Sequence, residues 1–379
     1  MAERIFKFFE QNLPYGSAGF AAVSALLKSA AFILGFVMLL AGVLTWMERR
    51  QSAMMQDRVG PSRANLGRFK AWGLLHFLAD ALKMIFKEDF VPPQASKLLF
   101  ALAPVLALAP VLIAAAIIPF GAPLCYGRMT EVVPPGVCAM PVALQAVRLD
   151  AGLLFYFAVA SLGVYGAALA GWASRNKWGL LGGLRASSQM MAYEVTMGMA
   201  VMAMFLVYGT LEPGAMVHAQ GNWPWQWGVF GVPQAVAFVL FLTAAIAESK
   251  RTPFDIPEGE SEIVGYFVEY SGMRFGMFYL GEFIEIITSS ALIVTIFFGG
   301  WRFPGSGLLA SHLANWLFVL ISVGVWSLKV FFFCAFQLLI RWTLPRLRAD
   351  QLLRVGWQRL LPISIANVVL VAGWILLWR

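Results

Sequence analysis

Charge is scarce in this chain. Only 13% of its 379 residues are Asp, Glu, Lys or Arg, about half the share of a soluble domain. Cysteine is scarce too. Cys125, Cys138 and Cys334 include no pair at C-x-x-C spacing, which argues against an iron–sulfur or zinc site within the chain. His76, His218 and His312 are scattered, and none lies inside an apolar run. The paired axial ligands of a membrane haem are therefore missing as well. No internal repeat is visible. Met1–Pro14 mixes polar and aromatic residues without an A-x-A site, so no cleavable signal peptide is expected. These absences exclude an ordinary soluble enzyme, a disordered tail and a disulfide-stapled secreted module. What the sequence does hold is apolar surface: 60% hydrophobic and 14% aromatic residues, with a mean hydropathy of +0.74.

The apolar runs are roughly twenty residues long, the length of a helix across a hydrocarbon layer of about 30 Å. The shorter alternating segments of a barrel are not seen. Eight runs qualify: Ser29–Trp46, Leu98–Pro119, Ala151–Gly171, Ala186–Gly209, Val229–Ala247, Phe275–Phe298, Leu313–Leu339 and Leu360–Trp378. The expectation is an all-α polytopic membrane protein, one membrane domain over residues 1–379. The net charge of +8 does not point to nucleic acid, because the basic residues gather in short loops between apolar runs. The loops after the first, third, fifth and seventh runs, with Lys97 at their edge, hold 20 of the 28 Lys and Arg. The opposite loops and both termini hold six: Arg4, Lys7, Arg128, Arg148, Arg302 and Arg379. That bias puts the basic loops in the cytoplasm and both termini outside.

The first cytoplasmic loop, Glu48–Ser96, contains a stretch with helical periodicity, Lys70–Lys87. Ala71, Leu74, Leu75, Leu78, Leu82, Ile85 and Phe86 make an apolar stripe, and His76, Asp80, Lys83 and Lys87 fall on another face. Such a helix lies in the membrane interface. It either anchors the loop or forms the floor of an entrance for an amphipathic, lipid-like ligand. The external loop Gly121–Asp150 carries Cys125 and Cys138, which are a disulfide or two free thiols. The tryptophan-rich Asn222–Trp227 reads as an interfacial aromatic belt.

Charges inside spans cost roughly 2.5–3.5 kcal/mol each on insertion scales, so each needs a reason. Glu194 sits in the fourth run. Glu282 and Glu285 lie three apart on one face of the sixth. Glu248 closes the fifth, and Lys329 is inside the seventh. A chain of such groups suits proton transfer, since burial and neighbouring charges tune their protonation; buried ion pairs between helices are the alternative. The third cytoplasmic loop is the strongest signal. From Asp255 to Glu269 it holds five carboxylates, Asp255, Glu258, Glu260, Glu262 and Glu269, and no basic residue. Pro253 and Pro257 keep it from forming one continuous helix. Crowded carboxylates raise one another's proton affinity. Phe254, Ile256, Ile263, Tyr266 and Phe267 argue against full solvation, so the loop packs on a partner or lines a wet cavity.

The stretch AESKRTPFDIPEGESEIVGYFVEYSGMRFGMFYLGE, Ala247–Glu282, resembles the signature of the H subunit of proton-pumping NADH:quinone oxidoreductase, respiratory complex I. This family is the bacterial counterpart of mitochondrial NADH dehydrogenase subunit 1. WMERR at Trp46–Arg50, DRVGPSR at Asp57–Arg63, LADALKMIFKED at Leu78–Asp89, RASSQMMAYEV at Arg185–Val195 and RWTLPRLRADQLLRVGW at Arg341–Trp357 carry the same resemblance. It spans roughly residues 30–370.

The resemblance implies the heel subunit of the membrane arm, in a bacterial inner membrane, where it walls a quinone tunnel with the peripheral arm. Arg49, Asp80, Lys83, Phe254 and Arg274 are then tunnel-side candidates. Glu194, Glu248, Asp255, Glu258, Glu260, Glu262, Glu269 and Glu282 form an acidic path toward the pump subunits. Quinone, with ubiquinone expected, is the substrate. FMN and iron–sulfur clusters belong to partner subunits, and no cofactor, metal or catalytic group is expected in this chain. The implied partners are the peripheral-arm quinone-site subunits, the iron–sulfur subunit, small membrane-arm subunits and the lipid bilayer, with no nucleic acid. Ser62 and Ala64–Gly67 depart from the family's loop, Gly121–Asp150 is longer than usual, and Glu285 has no counterpart. The heel subunit of a related membrane-bound hydrogenase, or an ion transporter, remains the alternative.

Overall fold

Backbone polar groups in hydrocarbon must find partners within their own segment, so long apolar runs become helices. The computed structural model describes residues 16–65, 71–126, 138, 140–259 and 262–378. Glu260 lies outside the described residues. The first rod comprises α1 (Ala18–Ala30), a π-helical stretch (Ala31–Val37) and α2 (Met38–Met55). The Ser17 hydroxyl starts it by accepting from the Phe20 amide. This rod outruns the expected Ser29–Trp46 at both ends. Ala18–Leu27 extends the apolar helix at its start, and at its end Glu48 pairs with Arg251 and Arg341, Arg49 pairs with Asp80, and Arg50 donates to the Val59 carbonyl.

A short helix α3 (His76–Phe86) follows, then α4 (Lys97–Ala115), a hairpin of β1 (Gly121–Cys125) and β2 (Pro141–Leu144), and the pair α5 (Gly152–Ala160) and α6 (Leu162–Ala173). Next come α7 (Lys177–Tyr208), the short α8 (Pro213–Ala219), α9 (Val232–Glu248), α10 (Gly272–Phe297), the short α11 (Ser306–His312) and α12 (Asn315–Thr343). The last rod is α13 (Ala349–Arg354), a second π-helical stretch (Val355–Leu360) and α14 (Leu361–Trp378). Among the described residues seven helical segments are long and apolar enough to cross a membrane. The remaining expected run, Val229–Ala247, is the seventeen-residue α9, about 26 Å long at 1.5 Å per residue.

Helix α10 is the axis of the bundle. It touches α2, α3, α4, α8, α9 and α12, and 89% of its apolar window is buried inside the chain. Close helix approaches depend on small residues. A β-carbon on Gly171 of α6 would sit 2.4 Å from the Gly179 carbonyl oxygen of α7. This contact explains why α7 begins nine residues before the expected Ala186: its glycine-rich first turns are helical because they pack on α6.

The hairpin was not anticipated from the sequence. Gly121 pairs with Leu144 and Cys125 with Pro141. The strand hangs from α12, with the Ala122 amide on Ser322 Oγ at 2.9 Å and the Cys125 amide on Asn315 Oδ1 at 3.0 Å. Cys125 and Cys138 form a disulfide. Lys329 has a local partner: its ammonium donates to the carbonyls of Phe298, Gly300 and Arg302 at 2.6–3.1 Å. It caps the C-terminal end of α10, where a cation meets the helix dipole.

Candidate functional site: a buried ionic cluster under a polar cavity

The chain leaves α9 and turns back under the bundle. Lys250 adopts a left-handed conformation with φ 55°, the usual way to end a helix but one that favours glycine. Such strain costs about 1–3 kcal/mol and persists where the surroundings hold it. Here Lys250 is buried and its ammonium lies 3.7 Å from Glu285. Burial disfavours the ammonium, but Glu285, Tyr266 and neighbouring carboxylates outweigh it and keep the group charged. Arg251 follows, 5% exposed. It donates to Glu48 of α2 at 2.8 Å, lies 3.9 Å from Glu282 of α10 and packs over the Phe283 ring. Arg341 of α12 bonds the other oxygen of Glu48.

The acidic loop then divides. Glu258 is partly buried; burial first, and then Glu282 and Asp255, push its carboxyl well above the ordinary range. Asp255 is pushed up to about 6 by burial, with Arg346 and Arg341 opposing. Its backbone carbonyl accepts from Arg346 Nε at 2.8 Å. Gln189 of α7 donates to the carbonyls of Ala247 and Phe254, both at 2.7 Å, and so ties both ends of the turn to α7. Three cations, Lys250, Arg251 and Arg341, therefore face five buried or nearly buried carboxyls: Glu48, Glu248, Glu258, Glu282 and Glu285. An unpaired buried charge is costly. The acid excess raises proton affinity within the cluster, as at Glu258.

Glu262 and Glu269 do not join this cluster. Glu262 is half-exposed between Arg185 at 2.9 Å and Arg346 at 3.7 Å. Glu269 accepts from Asn176 at 2.8 Å beside a separate surface cavity at Pro92–Gln94. Glu194 is half-buried in the wall of an apolar groove of about 490 Å³ between α5 and α7. Glu248 is buried beside Lys250, within electrostatic reach of Glu285 and Glu194.

Above the cluster opens a polar cavity of about 670 Å³, lined by Glu48, Arg49, Ser52, Arg58, His76, Tyr279 and others. Arg49 of this lining pairs with Asp80 at 2.7 Å, joining α2 to α3. The face of α3 that meets the bundle carries Phe77 and Met84 as well as Asp80: Phe77 fills the space beside Gly42, and Met84 that beside Gly276. The apolar stripe Leu78, Leu82, Ile85 and Phe86 stays exposed, turned away from the chain's own core. Lys83 is exposed and lies outside the cavity lining. Phe254 is buried, with its ring against Tyr193. Arg274 pairs with Asp89 at 3.2 Å and covers the Phe100 ring. Of the five tunnel-side candidates, Arg49 lines the cavity and Asp80 is tied to it through the ion pair with Arg49, while the other three stand apart.

Sequence reasoning passed over Glu48, Lys250, Arg251, Arg341 and Arg346, which hold the cluster together. The signal was present: Glu48 heads an acid–base–base run at a span end, and Lys250–Arg251 stand just past Glu248, after Ser249. Among the described residues no group of three or more His, Cys, Asp or Glu is placed to hold a metal ion.

The profile of the NADH dehydrogenase family matches residues 27–372. The chain is 42% identical to the second NADH-quinone oxidoreductase H subunit of Koribacter versatilis, over 94% of its length and 98% of the relative. It is 44% identical to the first such H subunit of Geobacter metallireducens, over 93% of its length and 97% of the relative. With the H subunit of Flavobacterium psychrophilum the identity is 39%, over 92% and 96%.

Proposed function

The chain belongs to the NADH dehydrogenase family as an H subunit of NADH-quinone oxidoreductase, a multi-pass membrane component of that complex, and on that premise we propose that it walls the passage to the quinone site and couples quinone reduction to proton translocation. The observation that carries this reading is the placement of Glu48. It lines the 670 Å³ cavity and shares Arg251 with Glu282 in the buried cluster beneath. A change of charge in the cavity is thus felt one ion pair away by Glu282 in the buried cluster.

A quinone has an apolar tail and a polar head. The exposed stripe of α3 offers the tail an apolar approach from the bilayer, and the Arg49–Asp80 pair marks the rim where the head enters. Electrons arrive from an iron–sulfur cluster of a neighbouring peripheral subunit, so this chain supplies the binding wall and the charge response. As quinone takes up two electrons and two protons, the carboxylates facing the cavity lose or gain protons. Arg251 and Arg341 shift their pairing, and the protonation of Glu258 follows. Glu248 and Glu194 would pass that change sideways toward the pump subunits. The basic loops would face the cytoplasm of a bacterial inner membrane, with the hairpin and its disulfide on the periplasmic side together with both termini. Glu262 and Glu269, paired on the exposed rim, are suited to meeting the peripheral arm.

The test is Asp255→Asn in inverted membrane vesicles, with assembly of the complex measured alongside. The expected result is a loss of NADH-to-quinone activity while transfer to a soluble artificial acceptor, which draws electrons upstream, continues. Unchanged quinone activity would remove Asp255 from the path. Unchanged NADH oxidation after deletion of the whole chain would overturn the reading.

A further inference from the structure

A second polar cavity, of about 460 Å³, lies at the end of α10 remote from the acidic loop. One wall is β1 with the Cys125–Cys138 disulfide, and another is the turn after α10 that carries Trp301 and Arg302. Helix α8, helix α11 and the start of α12 supply most of the rest. Among the described residues no Asp or Glu lines it. Arg302 is half-buried. Burial lowers the proton affinity of its guanidinium, and no neighbouring carboxylate offsets that, although the group stays ionised. It donates to Asn222 Oδ1 at 3.3 Å and to the His218 carbonyl at 3.2 Å. Both acceptors are neutral, so the charge is held in place without being neutralised. Its remaining N–H donors meet no acceptor among the described residues. Lys329, bonded to the Arg302 carbonyl at 2.6 Å, adds a second cation beside the turn. Glu212, the carboxylate within electrostatic reach of His218, is engaged by Arg148 at 2.5 Å.

Two lining side chains more than nine-tenths buried hold further unused donors. Asn315, 7% exposed, gives its Oδ1 to the Cys125 amide at 3.0 Å, which leaves its amide nitrogen for the cavity. Ser306 is 6% exposed, and its hydroxyl has no partner among the described residues. Helix α12 begins here with no side chain capping it, so the positive end of its dipole adds to the field. The lining amide oxygens are spent and the donors are left, an arrangement that suits a ligand rich in acceptor oxygens and negative charge. The volume lies within the roughly 300–1,000 Å³ of small-ligand sites. Leu308 and Trp316, sequence neighbours of the lining residues Gly307 and Asn315, are exposed, as side chains that meet lipid at a membrane surface are.

We propose that this cavity binds a phosphate group, carried by the headgroup of an anionic phospholipid or present as free phosphate, with Arg302 pairing to its oxygens and Ser306 and Asn315 donating beside it. A headgroup without a cation fits better than choline, because no carboxylate stands ready for the choline nitrogen. The occupant bridges the hairpin, the turn after α10 and the start of α12. The site does not depend on the proton-coupling reading above.

The disulfide supplies a local readout, since Cys138 is only partly buried on the cavity wall. The experiment follows its reduction by dithiothreitol in the detergent-solubilised complex stripped of lipid, with the freed thiols alkylated and located by mass spectrometry. Phosphatidylglycerol, phosphatidylcholine and inorganic phosphate are titrated separately. Phosphatidylglycerol should slow the reduction saturably, and phosphatidylcholine should do so less. Arg302→Gln should raise the half-effect concentration roughly ten- to a hundredfold, the worth of a charge-assisted hydrogen bond. Asn315→Asp should weaken protection as well: its carboxylate still accepts from the Cys125 amide, so the strand stays tied to α12 while the anion is repelled. Protection by inorganic phosphate at the same site identifies a free anion as the source, and protection by the lipid alone identifies a headgroup. Equal protection by phosphatidylcholine would overturn the anionic ligand. No protection by any of the three, or the same protection in both variants as in the unaltered complex, would overturn the site.

Discussion

Replacing Arg251 by methionine removes the cation that reaches both Glu48 and Glu282. The magnitude follows from burial. Arg251 and these partners are all under a tenth exposed. An exposed pair is worth about 0–1 kcal/mol, whereas breaking a buried pair costs about 3–5 kcal/mol because its partner is left uncompensated. Stacking on the Phe283 ring at 4.2 Å adds about 1 kcal/mol. The buried figure applies, and it corresponds to roughly two to four decades in an equilibrium constant. The assay is the rate of thermal inactivation of the detergent-solubilised complex, read by quinone-linked activity beside artificial-acceptor activity. Arg251→Met should inactivate far faster in the quinone assay alone. Combining it with Glu48→Gln should restore much of the loss, since Glu48 no longer carries an unpaired charge and Arg341, a quarter exposed, can rehydrate. An inactivation rate for Arg251→Met equal to that of the unaltered complex would refute the reasoning, because it would mean that water already compensates Glu48 and Glu282.

Burial sets Asp255 at about 6, so its anion is lost as pH falls through that value. Quinone-linked activity that uses the anion should decline between about pH 7 and 5, and Asp255→Asn should flatten that limb. The stability effect has the opposite sign. The folded-state value lies above the ordinary 3.8, so the contribution of this group to stability is full below 3.8 and is lost as pH rises through 6. Gly171→Ala places a methyl 2.4 Å from the Gly179 carbonyl, which cannot swing aside as a side chain could. The cost is at least about 1–3 kcal/mol, read as less assembled complex, whereas Gly198→Ala, with open space around it, should assemble normally.

Hydropathy found the long rods because spanning is a local property: a segment must be apolar for the thickness of the bilayer, whatever stands beside it. The same locality explains its errors at the ends. The charged end of α2 and the glycine-rich start of α7 are helical through ion pairing and packing, neither of which a hydropathy window registers. Helix α3 was legible as amphipathic, but the face that docks, Phe77, Asp80 and Met84, cuts across the polar set expected from periodicity. The helix has an apolar docking face besides its exposed apolar stripe, and a single stripe cannot separate the two. The charge inside α12 read as a candidate for proton chemistry, yet Lys329 spends its hydrogen-bonding capacity on three carbonyls at the end of α10.

The sequence by itself determined an all-helical membrane chain, the family, and the acidic segment that carries most of the chemistry, because composition, run length and motif are one-dimensional properties. Only the tertiary structure decided which charges meet. Glu48 pairs with Arg251 across 203 positions and with Arg341 across 293. Asp255, Glu258, Glu262 and Glu269, neighbours in one loop, end in different surroundings. Helix packing chooses those neighbours, and in a low-dielectric interior the nearest opposite charge, or its absence, sets whether a carboxyl stays ionised or holds a proton.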